Sequence, residues 1–265
     1  MALASPVLLW GGGVVYVPLR SAKKLALWSR ERSPHLLGGV PLRSTSGWTY
    51  PRTMDRADVY AATARERCRI ADLIDSLDEA QLATPSLCAG WDVKTVAAHL
   101  VSMLMDGPAA VARLGMRYMN PDRAIDVFAK RRARSPADEI AATLRRLADH
   151  HYWSPPPRGD RGPLADVLVH SGDIRIALGL PFEPDPQLAA VAIDRLTQPT
   201  TTGLVPLGRL RRISWRATDI NRTWRKGKEI RGPVSALMMA VGGRTALLDA
   251  LDGPGLPLLR QRICG

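Results

Sequence analysis

The stretch Asp92-Val-Lys-Thr-Val-Ala-Ala-His99-Leu-Val-Ser-Met-Leu104 has an apolar residue at every third or fourth position, the spacing of one buried helix face. Asp92 stands just before this run, where its carboxylate can accept a hydrogen bond from a free amide of the first turn. His99 lies in the middle of the run, beside the apolar stripe. The stretch therefore predicts a buried helix that carries an inward-facing histidine.

Three further segments show helical spacing, and together with the first they make four main helices. They cover about residues 55–77, 136–152 and 163–178, with a shorter helix at 109–118 that either continues the His99 helix or stands alone. Ser135 and Pro136 have the residue types of an N-cap and a first helical position, and Gly179 is a C-terminal stop. Loops are expected at 82–90 and 154–161. The pattern predicts a four-helix bundle over residues 54–181.

After Pro181 the pattern changes to a small α+β domain over residues 182–265. A helix at 186–196 precedes a Thr/Gly/Pro loop, and residues 212–218 alternate like a strand, with Ile213, Trp215 and Ala217 on one face. Residues 221–227 fit a turn and a partner strand around Trp224. Two short helices are predicted at 233–241 and 244–251. The fold class is therefore mainly α, a helical bundle with a small C-terminal α+β domain.

Residues 1–53 differ from the rest in composition, with a glycine triplet, scattered prolines and no clear helical or strand period. Residues 6–19 are apolar like a signal-peptide core, but glycines interrupt them and no basic residue precedes them. We expect residues 1–53 to be a disordered or mis-annotated N-terminal extension, with Met54 as a candidate initiator.

Composition narrows the class of protein and its partners. Hydrophobic residues make up 46% and charged residues 23%, and no stretch reaches the ~20 apolar residues of a membrane helix. The net charge is +12, but residues 1–53 hold seven basic residues against one acid, which leaves +6 for the rest. No nucleic-acid motif accompanies it, so we expect no nucleic-acid partner and no membrane, and a nucleic-acid binder stays open only as an alternative that rests on the residual +6. The three widely spaced cysteines, Cys68, Cys88 and Cys264, favour a reducing cytoplasm over disulfides or a cysteine zinc site.

Three residues could bind a metal ion. Asp166 and His170 are four apart in the last bundle helix, so their side chains share one face and can bind one cation together with the inward-facing His99. Two imidazoles and a carboxylate suit zinc, nickel, iron or cobalt, and three protein ligands leave one position open for water or substrate. From spacing alone, ordinary interpretations remain open: a hydrogen-bonded core histidine, and a surface Asp–His pair.

Two motifs resemble one known family. Cys88-Ala-Gly-Trp-Asp-Val-Lys-Thr-Val-Ala-Ala-His99-Leu is similar to the first metal motif of the DinB-like mycothiol-dependent maleylpyruvate isomerases. The stretch from Asp166 through His170 to Pro181 resembles the second. Ala217-Thr-Asp, Trp224, Arg231-Gly-Pro233 and Gly243-Arg244 are similar to the family's small C-terminal domain, so the resemblance covers roughly residues 55–262.

The resemblance implies a DinB-like four-helix bundle with His99, Asp166 and His170 as ligands of a divalent metal ion, which we take to be zinc. It implies an enzyme in which the metal activates the thiolate of a small thiol, mycothiol, for isomerisation or conjugation of a small electrophile. The family has glutamate where this chain has Asp166. This difference motivates the alternative, a non-catalytic DinB-like metal-binding protein.

Residues near the predicted ligands have two interpretations each. Asp173 could accept a hydrogen bond from the second ring nitrogen of His170, or pair with Arg175 or a neighbouring helix. Trp91 could wall the site and contact substrate, or plug the end of the bundle. The resemblance makes Arg244 an anion-binding, substrate-contacting residue, whereas its position at a helix start favours solvent. We expect His150 and His151 at the surface, no nucleophilic cysteine, and an external thiol as the nucleophile.

Overall fold

The structure is a computed structural model of the 265-residue chain and describes residues 7–10, 13–16, 54–151, 161–198 and 208–264. Strands β1 (Val7–Trp10) and β2 (Gly13–Tyr16) pair as an antiparallel hairpin, which the sequence pattern did not predict. The rest of the N-terminal extension and the loops predicted within 152–160 and 199–207 lie outside the described residues. The interpretation of residues 1–53 stays a prediction.

Helices make up most of the described chain, as the sequence predicts. Their caps explain where they begin: Asp55 accepts a hydrogen bond from the amide of Asp58, and Asp92 accepts one from the amide of Thr95. The helices up to the sheet are α1 (Arg56–Asp75), α2 (Glu79–Leu82), α3 (Val93–Met105), α4 (Gly107–Tyr118), α5 (Pro121–Arg132), α6 (Ala137–Arg146), α7 (Arg161–Ala177) and α8 (Pro186–Leu196).

The predicted four-helix bundle is confirmed and consists of α1, α3, α6 and α7. Helix α1 packs against α6 and α7, and α3 packs against the same two helices from the other side. Gly179 ends α7 as expected: its φ is +68°, and the amide of Leu180 donates to the carbonyl of Arg175. The start of α6 differs by one residue, because Pro136 holds the N-cap position, which leaves Ser135 outside the helix.

The sequence pattern missed α5. This helix begins after Asn120, which accepts a hydrogen bond from the amide of Arg123, and it buries Ala124 and Phe128 against α4. Charged residues dominate the remainder of α5, so it has too few apolar positions to produce a clear stripe. Helices α4 and α5 form a hairpin that packs on the outside of α3.

After α8 the chain forms a three-stranded sheet with the order β4-β3-β5. Strand β3 (Ile213–Ala217) buries Ile213, Trp215 and Ala217 as predicted, and β4 (Arg222–Trp224) pairs with it antiparallel. Strand β5 (Lys228–Gly232) pairs with β3 in parallel and was not predicted, because Ile230 is its one large apolar residue.

The C-terminal helices follow the prediction in part. Helix α9 (Val234–Val241) is confirmed, but the helix predicted at 244–251 is wrong: only a 3₁₀ turn, Leu248–Ala250, forms there. The chain leaves helical geometry because Asp252 pairs with Arg231 through both backbone amides, beside β5. A helix that the pattern missed, α10 (Leu256–Cys264), ends the chain.

Buried apolar residues of the bundle and of the C-terminal part form one continuous core. It runs from Ile70 of α1 through Leu168 of α7 and Ile193 of α8 to Trp215 of β3. The domain boundaries drawn from the sequence stay predictions. In the described chain no single helix has the length and apolar composition of a membrane span, and α3 with most of α4 passes that test only as a pair bent by 110°.

The close approach of α7 and α9 makes Gly172 a sensitive position. A Cβ atom at Gly172 would lie 2.7 Å from the sulfur of Met239 and 3.0 Å from Phe182, and Met239 is fully buried. We expect Gly172→Val to lower the free energy of unfolding by about 2–3 kcal/mol, because the core must open to admit the side chain. Urea denaturation measures this change.

Gly162, in the same helix, is the matched control. Among the described residues, the atom nearest to a Cβ there is the Nε of Arg195, at 3.8 Å. Gly162→Val should leave the unfolding free energy nearly unchanged, since space is available and valine has a better helix propensity than glycine. Equal losses in the two variants would contradict the crowding at Gly172.

Candidate metal centre

Helices α3 and α7 bring His99, Asp166 and His170 together. The Nε2 atom of His99 lies 3.9 Å from Oδ2 of Asp166, and Nε2 of His170 lies 3.5 Å from Oδ1 of the same carboxylate. Both imidazoles are buried, and the Asp166 side chain retains 18% exposure. The sequence-predicted trio is thus one cluster whose potential ligand atoms all lie within 4.8 Å of one another.

The geometry of this cluster fits one divalent metal ion. Ligand atoms about 2.1 Å from a tetrahedral zinc ion lie about 3.4 Å apart, close to the observed separations between Asp166 and the two histidines. The two oxygens of Asp166 face different imidazoles, so the shorter side chain still reaches both histidines. The Nδ1 atom of His99 is buried without a hydrogen-bond partner among the described residues.

Charges in the cluster shift the protonation of both histidines. Burial lowers the pKa of His99. A hydrogen bond to Asp166 and the charge of that carboxylate act in the opposite direction, but burial is the larger effect. Burial also disfavours the charged form of His170, but the hydrogen bonds that its ring donates to Asp173 and Cys88, and the charge of Asp166, raise the pKa of His170 to about 10. In the metal-free protein His99 is therefore neutral and His170 is the charged partner of Asp166.

Asp173 holds His170 in one orientation, as one of the two sequence interpretations stated. Its Oδ2 lies 2.9 Å from Nδ1 of His170, and its side chain is completely buried. Burial would raise the pKa of Asp173, but hydrogen bonds from His170 and Arg244 hold it well below the usual range. The contact directs Nε2 of His170 toward Asp166.

Arg244 lies inside the protein, and the expectation that it faces solvent is wrong. Its Nε donates to Oδ1 of Asp173 at 2.8 Å and its Nη2 donates to Oδ2 at 2.6 Å, while Nη1 donates to the carbonyl of Gly242. The side chain is 18% exposed. Arg244 therefore anchors Asp173, and its substrate-binding role stays a prediction.

Trp91 lies beside the predicted metal ligands and also packs into the bundle, so each of its two interpretations is met in part. Its ring centroid lies 5.1 Å from that of His99 and 6.4 Å from that of His170, and the ring also packs against the core. Its Nε1 donates to Oδ1 of Asp126 at 2.8 Å. Asp126 belongs to α5, so the helix that the sequence pattern missed fixes the tryptophan beside the imidazoles.

Cys88 is a neighbour that sequence reasoning missed. Its sulfur lies 3.0 Å from Oδ2 of Asp173, 3.7 Å from Nδ1 of His170 and 3.3 Å from Nη2 of Arg244. Cys88, His170 and Asp173 are close enough to bind a metal themselves, but the guanidinium of Arg244 already supplies the cation there. The position of Cys88 just before Gly90-Trp91 was the available signal.

Arg67 is a second residue that the pattern missed. It is buried in α1, donates to the carbonyls of Ala148 and His150, and its charge helps to keep the pKa of Asp166 low, although burial acts in the opposite direction. With Asp166 it lines a small open cavity of about 10 Å³, whose other walls are Leu100, Met103, Leu104, Pro163 and Val167. His150 and His151 are exposed, as expected.

The fold and the cluster define a helical-bundle protein with a two-histidine, one-carboxylate centre of the kind that binds divalent metals. Residues 63–175, somewhat less than half of the chain, match the family model "Mycothiol maleylpyruvate isomerase N-terminal domain", which confirms the resemblance inferred from the sequence. The matched segment contains His99, Asp166, His170 and Asp173.

Two solved structures are similar to this chain. One is a crystal structure of the mycothiol-dependent maleylpyruvate isomerase, with 12% identity, a TM-score of 0.48, and coverage of 76% of this chain and 93% of that one. The other is a histidine-to-alanine mutant of the isomerase, with the same identity and coverage and a TM-score of 0.44. No curated protein matches the chain.

Proposed function

We propose that the protein is a divalent-metal-dependent enzyme that uses a low-molecular-weight thiol, mycothiol, to isomerise or conjugate a small electrophile. The observation that carries this proposal is the convergence of His99, Asp166 and His170 from two helices within the segment that matches the isomerase family model. We take zinc as the metal, because two nitrogens and one oxygen suit it. We take the cytoplasm as the location, from the sequence.

Each residue of the cluster has a distinct part in this proposal. His99, Asp166 and His170 would hold the metal, which lowers the pKa of a bound thiol so that its thiolate forms at neutral pH. Asp173 orients His170 through Nδ1, and Arg244 neutralises Asp173. The Trp91 ring lies beside both imidazoles, where it limits access of water. The cavity beside Asp166 gives the site contact with solvent.

The alternative is a metal-binding protein without catalytic activity. Asp166 favours it, since the family has the longer glutamate at this position. Both Asp166 oxygens lie within 4.0 Å of an imidazole Nε2, a geometry that suits metal binding in either case, so activity is what separates the two proposals.

The test is to measure zinc content in the purified protein and two further quantities with a panel of electrophiles that includes maleylpyruvate. Mycothiol consumption reports conjugation, and mycothiol-dependent conversion of the electrophile also reports isomerisation, which returns the thiol. We expect one zinc per chain and mycothiol-dependent conversion of at least one electrophile, both lost in His99→Ala and kept in the exposed-histidine control His150→Ala. Stoichiometric zinc without conversion of any electrophile would support the alternative. Absence of zinc, or full zinc occupancy in His99→Ala, would refute the metal centre.

A further inference from the structure

One end of the three-stranded sheet concentrates the positive charge of the described chain. Residues 208–231 contain nine basic residues and only two acids, Asp219 and Glu229, for a net charge of +7. Since residues 54–265 as a whole carry +6, everything else in that range sums to −1. The excess charge is therefore a local property of one segment.

The fold gathers six of these nine basic residues at the end where β3 and β5 begin and β4 ends. The amide of Lys228 donates to the carbonyl of Arg212, and Gly227 lies directly against the Arg212 backbone. Arg262 of α10 donates to the carbonyls of Arg209 and Arg211. We call this surface the basic end; it consists of Arg209, Arg211, Arg212, Arg225, Lys226, Lys228 and Arg262.

Most charges of the basic end are exposed, and four of them are not balanced by acids. Arg211, Arg212, Lys226 and Lys228 are all exposed, and in the described chain no carboxylate lies within ion-pair distance of them. Glu229, the nearest acid in sequence, faces Arg216 and Arg231 instead. Like charges held this close repel one another, which an anionic partner would relieve.

Two backbone features keep the basic end in a defined shape. Arg212 and Arg225 both have left-handed backbone conformations, with φ of +60° and +61°, which cost free energy for residues other than glycine. The Nη1 atom of Arg225 donates to the carbonyl of Thr197. The charged residues thus belong to a turn with a defined backbone that pairs with β3. This reduces the conformational entropy that is lost on binding.

We propose that the basic end binds the phosphate backbone of duplex nucleic acid without reading its sequence. Guanidinium groups match phosphate geometry, and strands about 4.8 Å apart spread the charges across this end of the sheet. Single-strand binders stack bases on exposed aromatic rings, whereas Trp215 and Trp224 of this sheet are buried. Membrane docking is disfavoured, because the exposed large apolar residues of the described chain lie elsewhere, between Met105 and Val127.

The test uses the full chain and a labelled DNA duplex of mixed sequence, with fluorescence anisotropy measured from about 50 to 200 mM salt. We expect binding that weakens steeply with salt. The variant Arg211→Gln/Lys226→Gln/Lys228→Gln should lower affinity at least tenfold at low salt and make the log–log salt slope shallower by about 2 to 3. The control Arg65→Gln/Arg113→Gln/Arg117→Gln removes the same charge from exposed helix positions and should bind like wild type.

Three outcomes of the duplex titrations would overturn the proposal, and a fourth comes from lipid vesicles. They are no salt-dependent binding by the wild type, equal losses in the two triple variants, and undiminished binding by the basic-end variant, which would assign the binding to residues 1–53. Tighter binding to anionic lipid vesicles than to the duplex, at equal phosphate concentration, would indicate that the partner is a membrane and not nucleic acid. Circular dichroism melting of each variant checks that the fold is intact. This inference is independent of the metal centre.

Discussion

Replacing Arg244 with methionine is expected to lower the free energy of unfolding of the metal-free protein by about 3 kcal/mol. The guanidinium makes two hydrogen bonds to Asp173, whose side chain has no solvent exposure. Removing one partner of a buried ion pair strands the other charge, which typically costs 3–5 kcal/mol. We take the lower figure because His170 and Cys88 still contact Asp173. Urea denaturation at neutral pH measures the difference.

Arg231→Met is the matched control for this prediction. Arg231 also pairs with an aspartate, Asp252, at 2.6 Å, but the two side chains are 50% and 74% exposed. Because water screens exposed pairs, this variant should unfold almost like the wild type. Equal losses in the two variants would show that burial does not set the strength of the Arg244–Asp173 pair.

The pH dependence gives a second check on Arg244. The folded pKa of Asp173 is depressed, so the stability it contributes is present above its unfolded pKa of about 3.9 and is lost as pH falls toward the folded value. In Arg244→Met this depression is smaller. The stability gap between wild type and variant should therefore narrow on acidification below about pH 4. A gap that is constant with pH would indicate lost packing instead.

Local sequence patterns were sufficient for the parts of the fold that have one clear period. The Asp92 cap, the apolar stripe around His99 and the Gly179 stop define their helices without help from the rest of the chain. The pattern failed at α5 and β5, which are rich in charged residues. Phe128 of α5 packs in a separate small cluster with Val111 of α4, whereas Ile230 of β5 joins the main core. Tertiary contact outweighs local pattern at such elements.

The site shows the same division between local and long-range information. Asp166 and His170 share a helical spacing, so the sequence alone predicts their proximity. Arg67, Cys88 and Arg244 reach the cluster from segments far apart in the chain, and no spacing rule connects them. The basic end was visible as a count of charges over residues 208–231. Its exposure at one end of the sheet could be seen only in the structure.

The zinc affinity of the wild-type protein is expected to rise about tenfold per pH unit between pH 6.5 and 9. Zinc binds the unprotonated ring nitrogen, and in the metal-free protein His170 keeps its second proton because the pKa of His170 is raised to about 10. One proton must therefore leave for each zinc bound. Titration calorimetry in buffers of different ionisation enthalpy counts this proton directly.

The variant His170→Ala removes both the ligand and the proton. Loss of a residue that merely orients a ligand lowers metal affinity 10–100-fold. Loss of the ligand itself should therefore lower the zinc affinity by more than about 100-fold at pH 8.5, and the affinity should depend less on pH. The exposed-histidine control His150→Ala should keep the wild-type affinity and slope. Unchanged affinity in His170→Ala would exclude it as a ligand, whereas a flat wild-type profile would mean that His170 is already neutral.

Stability should respond to pH in opposite directions with and without zinc. The raised folded pKa of His170 contributes stability that is complete below pH 6.5 and is lost as pH rises through about 10, so the metal-free protein should weaken in alkali. Zinc stabilises the folded state more as its affinity rises, so the loaded protein should strengthen over the same range. From pH 7 to pH 9 the melting temperature should therefore fall with a chelator and rise with zinc. This pair of results would indicate that the proton and the metal compete for the same nitrogen of His170.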